Sequence, residues 1–365
     1  MRGNIGDDQN VRTASGPPWL NPANTASHEL QVVGDFRNGV KVGLYNTIVP
    51  HFLSCIRIIV FKFRKFFKPT YRNCEICNSK KTKLLRKKIS WNNNKYGILP
   101  VHCCTNCGFI FQNPRFSKQF YFDYYKKTYR DITLKTQIPP KKYLEDQKKR
   151  GEKLYKFLKP YLPKKGSMLD VGSSVGLMMK PFIKNKWKCM GNDPIKNYVE
   201  FGKKKYGLPV KWIQSEDMIL KRNSLDLIII LGSIEHVVDV NLVMKKCANA
   251  IKKNGILVLE SRGDPLGNTK GFFNQSHHRY FFQNTLELIM IKFGWRPFLT
   301  TKYPITGPTR ENSIFCLGRF KGKQVSKNFK NLIKFGKKET YSDILFKLKY
   351  YDYLSKAEPG KLLLR

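Results

Sequence analysis

The sequence predicts an α/β domain, doubly wound around a largely parallel sheet and preceded by a small cysteine-bearing module. Three observations carry this. Between about residues 165 and 320, short runs of branched apolar residues alternate with longer amphipathic stretches. The first of these runs breaks into a glycine-spaced turn, MLDVGSSVG (168–176). Ahead of it, two Cys-x-x-Cys pairs stand in an aromatic-rich segment.

Taken in order, KKYLEDQKKRGEKLYKFLK (141–159) reads as a charged helix ended by Pro160 and Pro163. MLDV (168–171) reads as a strand and GLMMKPFIK (176–184) as the helix after it. WKCMGND (187–193) and IKNYVEFGKKKYG (195–207) repeat that pair, and PVKWIQ (209–214) and LDLIIIL (225–231) are further strands. NLVMKKCANAIKK (241–253) carries apolar residues at helical spacing up to Asn254-Gly255, and GILVLES (255–261) follows as a strand. LELIMIKFG (286–294) is a helix and SIFCLGRF (313–320) the last strand. Strands regularly separated by helices imply parallel pairing through right-handed crossovers. The tail 321–365 is basic, with aromatic residues at helical spacing near 340–355.

The chain of 365 residues has room for one full-sized domain plus smaller modules, and 41% hydrophobic residues suffice for a packed core. Its formal charge of +42, from 68 Lys and Arg against 26 Asp and Glu, would attract nucleic acid, anionic lipid or acidic glycans. The lysines are spread over every segment and form no single stripe, so the charge reads either as a generally lysine-rich composition or as the mark of a polyanionic or membrane-surface partner, nucleic acid being the less expected one. Nine cysteines, an odd count, argue against a disulfide framework and for a reducing, cytoplasmic setting. Residues 1–68 read as a disordered leader followed by a basic amphipathic helix. The leader contains Asp7, Asp8, Pro17, Pro18 and Pro22 and is not expected to be a cleavable signal. Within it, TIVPHFLSCIRIIVFKFRKFF (47–67) is interrupted by Pro50 and Arg57 and mixes aromatics with Lys62, Arg64 and Lys65. Such a helix suits either an anionic membrane interface or a place on the protein's own core.

Cys74 and Cys77 form one Cys-x-x-Cys pair, Cys104 and Cys107 the second, followed by Gly108. Each pair closes a knuckle, and four thiolates complete a tetrahedral Zn²⁺ shell with no open position, so the expected metal is structural. His102 and Cys103 are adjacent extras.

The glycine turn excludes two common ligands. A dinucleotide turn needs glycine where Ser174 and Leu177 stand, and a phosphate-binding P-loop needs a lysine that is missing. What remains is Asp170, Gly172, Ser174 and Gly176 at alternate positions, which resembles the first motif of class I S-adenosylmethionine (SAM) methyltransferases. The resemblance continues with Asp193 at the end of the second strand, where a carboxylate can accept both ribose hydroxyls. Gln214 and Ser215 fall where that family holds the adenine. GSIEHVVDV (232–240) is similar to the Glu-His-x-x-Asp segment of one large subgroup, with Glu235, His236 and Asp239. NQSHHRYFFQNTLELIMIKFGWRP (274–297) is similar to that subgroup's His-aromatic segment and helix.

GFIFQNPRFSKQFYFDYYKKTYRD (108–131) resembles a linker found where a zinc ribbon directly precedes a SAM methyltransferase domain. Relatives of that type include sugar C-methyltransferases and proteins of polysaccharide biosynthesis. The resemblance implies a zinc ribbon and aromatic linker over 69–130 and a Rossmann-like, seven-stranded SAM methyltransferase domain over 131–320. It also implies methyl transfer from SAM to a hydroxyl or carbon of a sugar or related small or glycan acceptor, with a nucleic-acid (RNA) methyltransferase and a non-catalytic SAM-fold interaction protein as the alternative readings. His236 is the candidate general base, with Glu235 to orient it or hold an acceptor hydroxyl. His277, His278, Arg279 and Tyr280 are candidates for the acceptor pocket, with Arg279 able to meet a phosphate. Where the C-methylating relatives have Tyr two residues before the Glu-His pair, this chain has Ser233, which leaves carbon as acceptor in doubt.

Overall fold

A computed structural model describes residues 69–90, 98–130, 135–263, 273, 276–302, 305, 313–327, 329–335 and 340–357. All lie in one compact unit, 59–365. The leader and the 47–67 segment fall outside the described residues. Among the described residues, no helix is long and apolar enough to cross a membrane.

Two sheets organise the unit. The larger runs, in spatial order, β10 (Trp295–Thr301), β11 (Ile314–Phe320), β8 (Ile251–Ser261), β7 (Leu225–Leu231), β4 (Ser167–Val171), β5 (Lys188–Asp193) and β6 (Val210–Trp212). From β8 to β6 all neighbours pair in parallel, while β11 is antiparallel to both β8 and β10. The sheet is mostly parallel with one antiparallel edge, as the alternating elements imply. Side-chain alternation sorts its core onto two faces. Leu169, Val171, Ile228 and Ile230 pack with α5 (Val240–Ala250) and α6 (Gln283–Lys292), through Val243, Met244, Leu286 and Ile289. Met168, Leu227 and Ile229 pack with α2 (Lys141–Leu158) and α4 (Lys196–Tyr206), through Leu154, Leu158 and Tyr198. Full burial of one such aliphatic side chain is worth about 1.5–3 kcal/mol.

Some boundaries differ from expectation for visible reasons. The run 176–184 is a 3-10 turn (Leu177–Met179) followed by the five-residue α3 (Lys180–Lys184), with Pro181 near the start of α3. The helix expected to reach 253 stops at Ala250, because Ile251 already pairs with Leu225 of β7. Asn254 there has φ +65° and lies inside β8 rather than capping a helix.

The smaller sheet is antiparallel, in the order β1 (Thr82–Ser90), β2 (Ile98–Cys104), β3 (Ile110–Gln112) and β9 (Arg279–Tyr280). Its fourth strand comes from the far end of the chain, so the cysteine segment and the region after β8 share one sheet. The aromatic helix α1 (Lys118–Lys127), N-capped by Ser117, follows β3. Among the described residues, β11 is followed by the helices α7 (Lys323–Ser326), α8 (Phe329–Phe335) and α9 (Tyr341–Ala357). The tail could have packed as a final helix or stayed mobile; among the described residues it includes α9, whose Ile344 and Leu348 are buried in the cluster that includes Val101 and Ile110 of the small sheet.

Candidate functional site

The carboxyl ends of β4, β5 and β7 open onto a cavity of about 290 Å³, the edge at which parallel sheets hold ligands. Its floor is the glycine turn. Gly172 has φ +74°, and a Cβ there would lie 2.5 Å from the Ser233 Cβ. Gly176 has φ +89°, and its Cβ would lie 2.5 Å from Val210 Cγ2. Both positions therefore require glycine. Ser174 also sits in the left-handed region, at φ +55°, a conformation that costs an L-residue about 1–2 kcal/mol. Its hydroxyl accepts from Tyr143 Oη at 2.8 Å and Arg130 Nη2 at 3.4 Å.

Two buried carboxylates face this turn. Asp193 accepts from the backbone N–H of Ser174 at 2.8 Å (Oδ2) and of Ile195 at 2.9 Å (Oδ1). Burial pushes its pKa up, and Arg130 and those two N–H groups pull against that shift. Asp170 is 2% exposed, and its Oδ2 has no hydrogen-bond partner among the described residues. Burial, then the charge of Asp193, pushes its carboxyl up to about 8, against the pull of Arg150. An unpartnered buried carboxylate is costly to a fold, and such groups concentrate where a ligand completes them. Gln214 and Ser215 also line the cavity, and Ser215 Oγ accepts from Asn192 Nδ2 at 3.1 Å.

The loop after β7 forms the opposite wall. His236 lies on it, with Nδ1 2.9 Å from the Ser276 carbonyl oxygen. A carbonyl only accepts, so Nδ1 carries the hydrogen and the neutral ring has its lone pair on Nε2. Tyr125 of α1 donates to the same carbonyl at 2.8 Å and stands 3.1 Å from His236 Nδ1. The loop backbone is gripped from two sides. Glu216 Oε1 accepts from the N–H groups of Val238 (2.6 Å) and Asp239 (3.0 Å). Arg279 donates to the carbonyls of Val237 and Val238. Asp239 caps α5 through Leu242 N.

Several expected residues have other places. Glu235 does not orient His236: it is 1% exposed, and its Oε1 accepts from Ser261 Oγ and Arg262 N at the end of β8. Of the four expected acceptor-pocket residues, only His277 lines the cavity. His278 is fully buried, with its ring 3.8 Å from that of Tyr121. Burial, then the nearby Arg279 and Arg115 charges, holds its pKa well below the usual imidazole value. Tyr280 belongs to the small sheet. Arg279 is not offered to a phosphate, because its guanidinium is committed to Glu75 and to two backbone carbonyls. Tyr125, Tyr143, Arg130, Arg150 and Ser276 also line the cavity and carried no local sequence signal.

The four expected cysteines come together. The Sγ atoms of Cys74, Cys77, Cys104 and Cys107 all lie within 4.8 Å of one another, with Cys74–Cys107 and Cys77–Cys104 each at 3.5 Å. A tetrahedron with bonds of about 2.3 Å to zinc has edges of about 3.8 Å, so this set fits such an ion. Cys103 instead directs its thiol to the Cys104 carbonyl, and His102 Nδ1 meets Thr82 Oγ1.

Against this geometry, residues 169–259 match the family model described as "Methyltransferase domain". The chain thus carries a class I SAM-dependent methyltransferase domain. The ubiquinone biosynthesis O-methyltransferase of Rhodopseudomonas palustris (strain HaA2) is 32% identical over 96 residues, 25% of this chain and 38% of that protein. The protein of the same name from Pelagibacter ubique is 29% identical over 96 residues, 25% of this chain and 40% of that protein. The match thus spans about two fifths of the length of these curated relatives. Among solved structures, magnesium protoporphyrin IX methyltransferase from Synechocystis PCC 6803 aligns at 16% identity and a TM-score of 0.43, over 56% of this chain and 100% of that one.

Proposed function

We propose that the protein transfers the methyl group of SAM to a hydroxyl of a small or glycan-type acceptor, with His236 as general base. The observation that carries this is the shared cavity. It sets two buried carboxylates on one wall and a histidine with a fixed tautomer on the other.

When bound, SAM supplies an activated methyl on a sulfonium leaving group. Asp193 keeps lone pairs for ribose hydroxyls beyond the two it gives to backbone N–H groups. Asp170, with an unpartnered oxygen, suits the ammonium of the methionyl end. Gln214 and Ser215 stand for the adenine. His236 takes the acceptor proton at Nε2, a contribution of about 10²–10⁴-fold in rate. Ser276 and Tyr125 hold the ring in place while this occurs. Ser233, which donates to the Val171 carbonyl at 2.6 Å, stands where the C-methylating relatives carry Tyr, and this departure supports oxygen over carbon as the nucleophile. The curated relatives are named O-methyltransferases, which agrees with that choice. The four cysteines hold a structural zinc ion in this reading.

SAM turnover measured against panels of nucleotide-linked sugars, other small hydroxyl compounds and RNA tests the proposal. Methylation of a small hydroxyl acceptor is expected. Methylation of RNA alone would overturn the acceptor class.

A further inference from the structure

Glu75 stands between two of the clustered cysteines, Cys74 and Cys77, yet its side chain serves another part of the molecule. Its Oε1 accepts from Arg279 Nη2 at 2.6 Å and Arg115 Nη1 at 3.1 Å; its Oε2 accepts from Arg279 Nε at 2.8 Å and from Arg115 Nη2. Both arginines are essentially fully buried. Burial would push the Glu75 carboxyl up, but the two guanidinium charges hold it well below the usual carboxylate range. From the far side of Glu75, Arg279 continues to the carbonyls of Val237 and Val238, directly after His236. Lys292 of α6 adds a second tie, donating to the Glu75 carbonyl at 2.6 Å and to Asn241 Oδ1 at 2.8 Å on α5.

We propose that Glu75 is a positioning residue through which the four-cysteine centre fixes the loop carrying His236. The inference rests on the methyl-transfer reading only in giving that loop its purpose. The path is short and made of charge-assisted, bidentate bonds, which fix direction as well as distance. The Cys-x-x-Cys knuckle fixes the Glu75 backbone. Glu75 orients the planar fork of Arg279, and the fork holds two consecutive loop carbonyls while Glu216 holds the following N–H groups. A bound metal would cross-link the two knuckles and so stiffen the Glu75 backbone, which without it is held by turn hydrogen bonds, Lys292 and Arg115. The SAM side of the cavity has its own anchors, since Asp193 accepts from Ser174 N and the Ser174 hydroxyl accepts from Tyr143 of α2; the two sides meet where Ser233 donates to the Val171 carbonyl and where Glu216 follows Ser215. Metal occupancy therefore acts on the acceptor wall more than on the cofactor wall.

The test uses the full chain in three forms: Glu75→Gln, Arg279→Lys, and wild type stripped by a chelator and then reloaded with zinc chloride. Hydrogen exchange reads the amides of residues 236–239 and, as a reference, those of β4 and β5. ¹⁵N-histidine spectra read the His236 tautomer, which a general loss of stability does not shift selectively. Calorimetry reads SAM affinity. Exchange in the loop is expected to rise about tenfold or more in all three forms, with the Nδ1–H tautomer giving way to a mixture. SAM affinity and the β4–β5 amides stay within about threefold, and zinc chloride restores the stripped protein. Arg279→Lys keeps the charge opposite Glu75 but lacks the fork, so it decides the question if Glu75→Gln does not fold. Unchanged loop exchange and tautomer in folded variants would overturn the proposal, as would an equal rise across β4 and β5. Failure of the wild type to bind SAM would sink the methyl-transfer reading, and the loop measurements would still decide the role of Glu75.

Discussion

Replacing Asp193 by Asn isolates the cofactor wall. Both carboxylate oxygens already accept a backbone N–H, from Ser174 at 2.8 Å and Ile195 at 2.9 Å. An amide has one accepting oxygen, so either orientation turns its NH2 against one of those N–H groups. The free turn loses one charge-assisted bond, and a bound ribose loses one of its two acceptors. A hydrogen bond to a charged group is worth about 1.5–3 kcal/mol. At about 1.4 kcal/mol per tenfold in Kd, SAM affinity should fall about 10- to 150-fold. The fold should survive, because burial is the largest influence on this carboxyl and opposes its charged form; the neutral amide relieves that cost. Titration calorimetry with SAM, on variant protein whose melt stays cooperative, reads the effect. A folded variant whose Kd lies within about threefold of wild type would refute the assignment of Asp193 to the ribose.

Other predictions address the same wall. Asp170 has a folded pKa of about 8, above the unfolded carboxyl value of about 3.9. The ligand-free fold therefore binds more protons than the unfolded chain in that window, and its stability falls as pH rises from about 4 to about 8. Asp170→Asn should remove this slope, melt higher than wild type near pH 8 and bind SAM more weakly; parallel melting curves across the range would count against it. Gly176→Ala combines a left-handed backbone with a Cβ only 2.5 Å from Val210 Cγ2 and should cost about 1–3 kcal/mol, read as a lower denaturation midpoint. Ser174→Gly relieves backbone strain of about 1 kcal/mol and forfeits the bond from Tyr143, of similar size. Its melting temperature and SAM affinity should hardly move, and a tenfold loss of affinity would show that the hydroxyl itself meets the ligand.

Local patterns in the sequence carried much of this arrangement. The alternation in LDLIIIL placed Leu227 and Ile229 on one face and Ile228 and Ile230 on the other. Gly172 and Gly176 were legible because their backbone conformations exclude other residues, and Asp193 because it ends a strand beside the turn. The cysteine pairs were legible because the spacing itself encodes the knuckle. What escaped was long-range or irregular. Tyr125 meets His236 across 111 positions, Arg150 meets Glu260 across 110, and Arg279 meets Glu75 across 204. No local signal announces such pairs, and Arg279 taken alone looked like a phosphate ligand. Strand β9 is two residues long and has no period to detect. Strand β10 was hidden by Pro297, which an edge strand tolerates at the register shift between Pro297 and Leu299.

The central claim is tested most directly by His236→Ala, comparing acceptor-dependent methyl transfer with SAM affinity in the same preparation. SAM binding is expected to stay within about threefold of wild type and the rate to fall by about 10²-fold or more. Turnover at the wild-type rate, or a loss of SAM binding equal to the loss of rate, would contradict it.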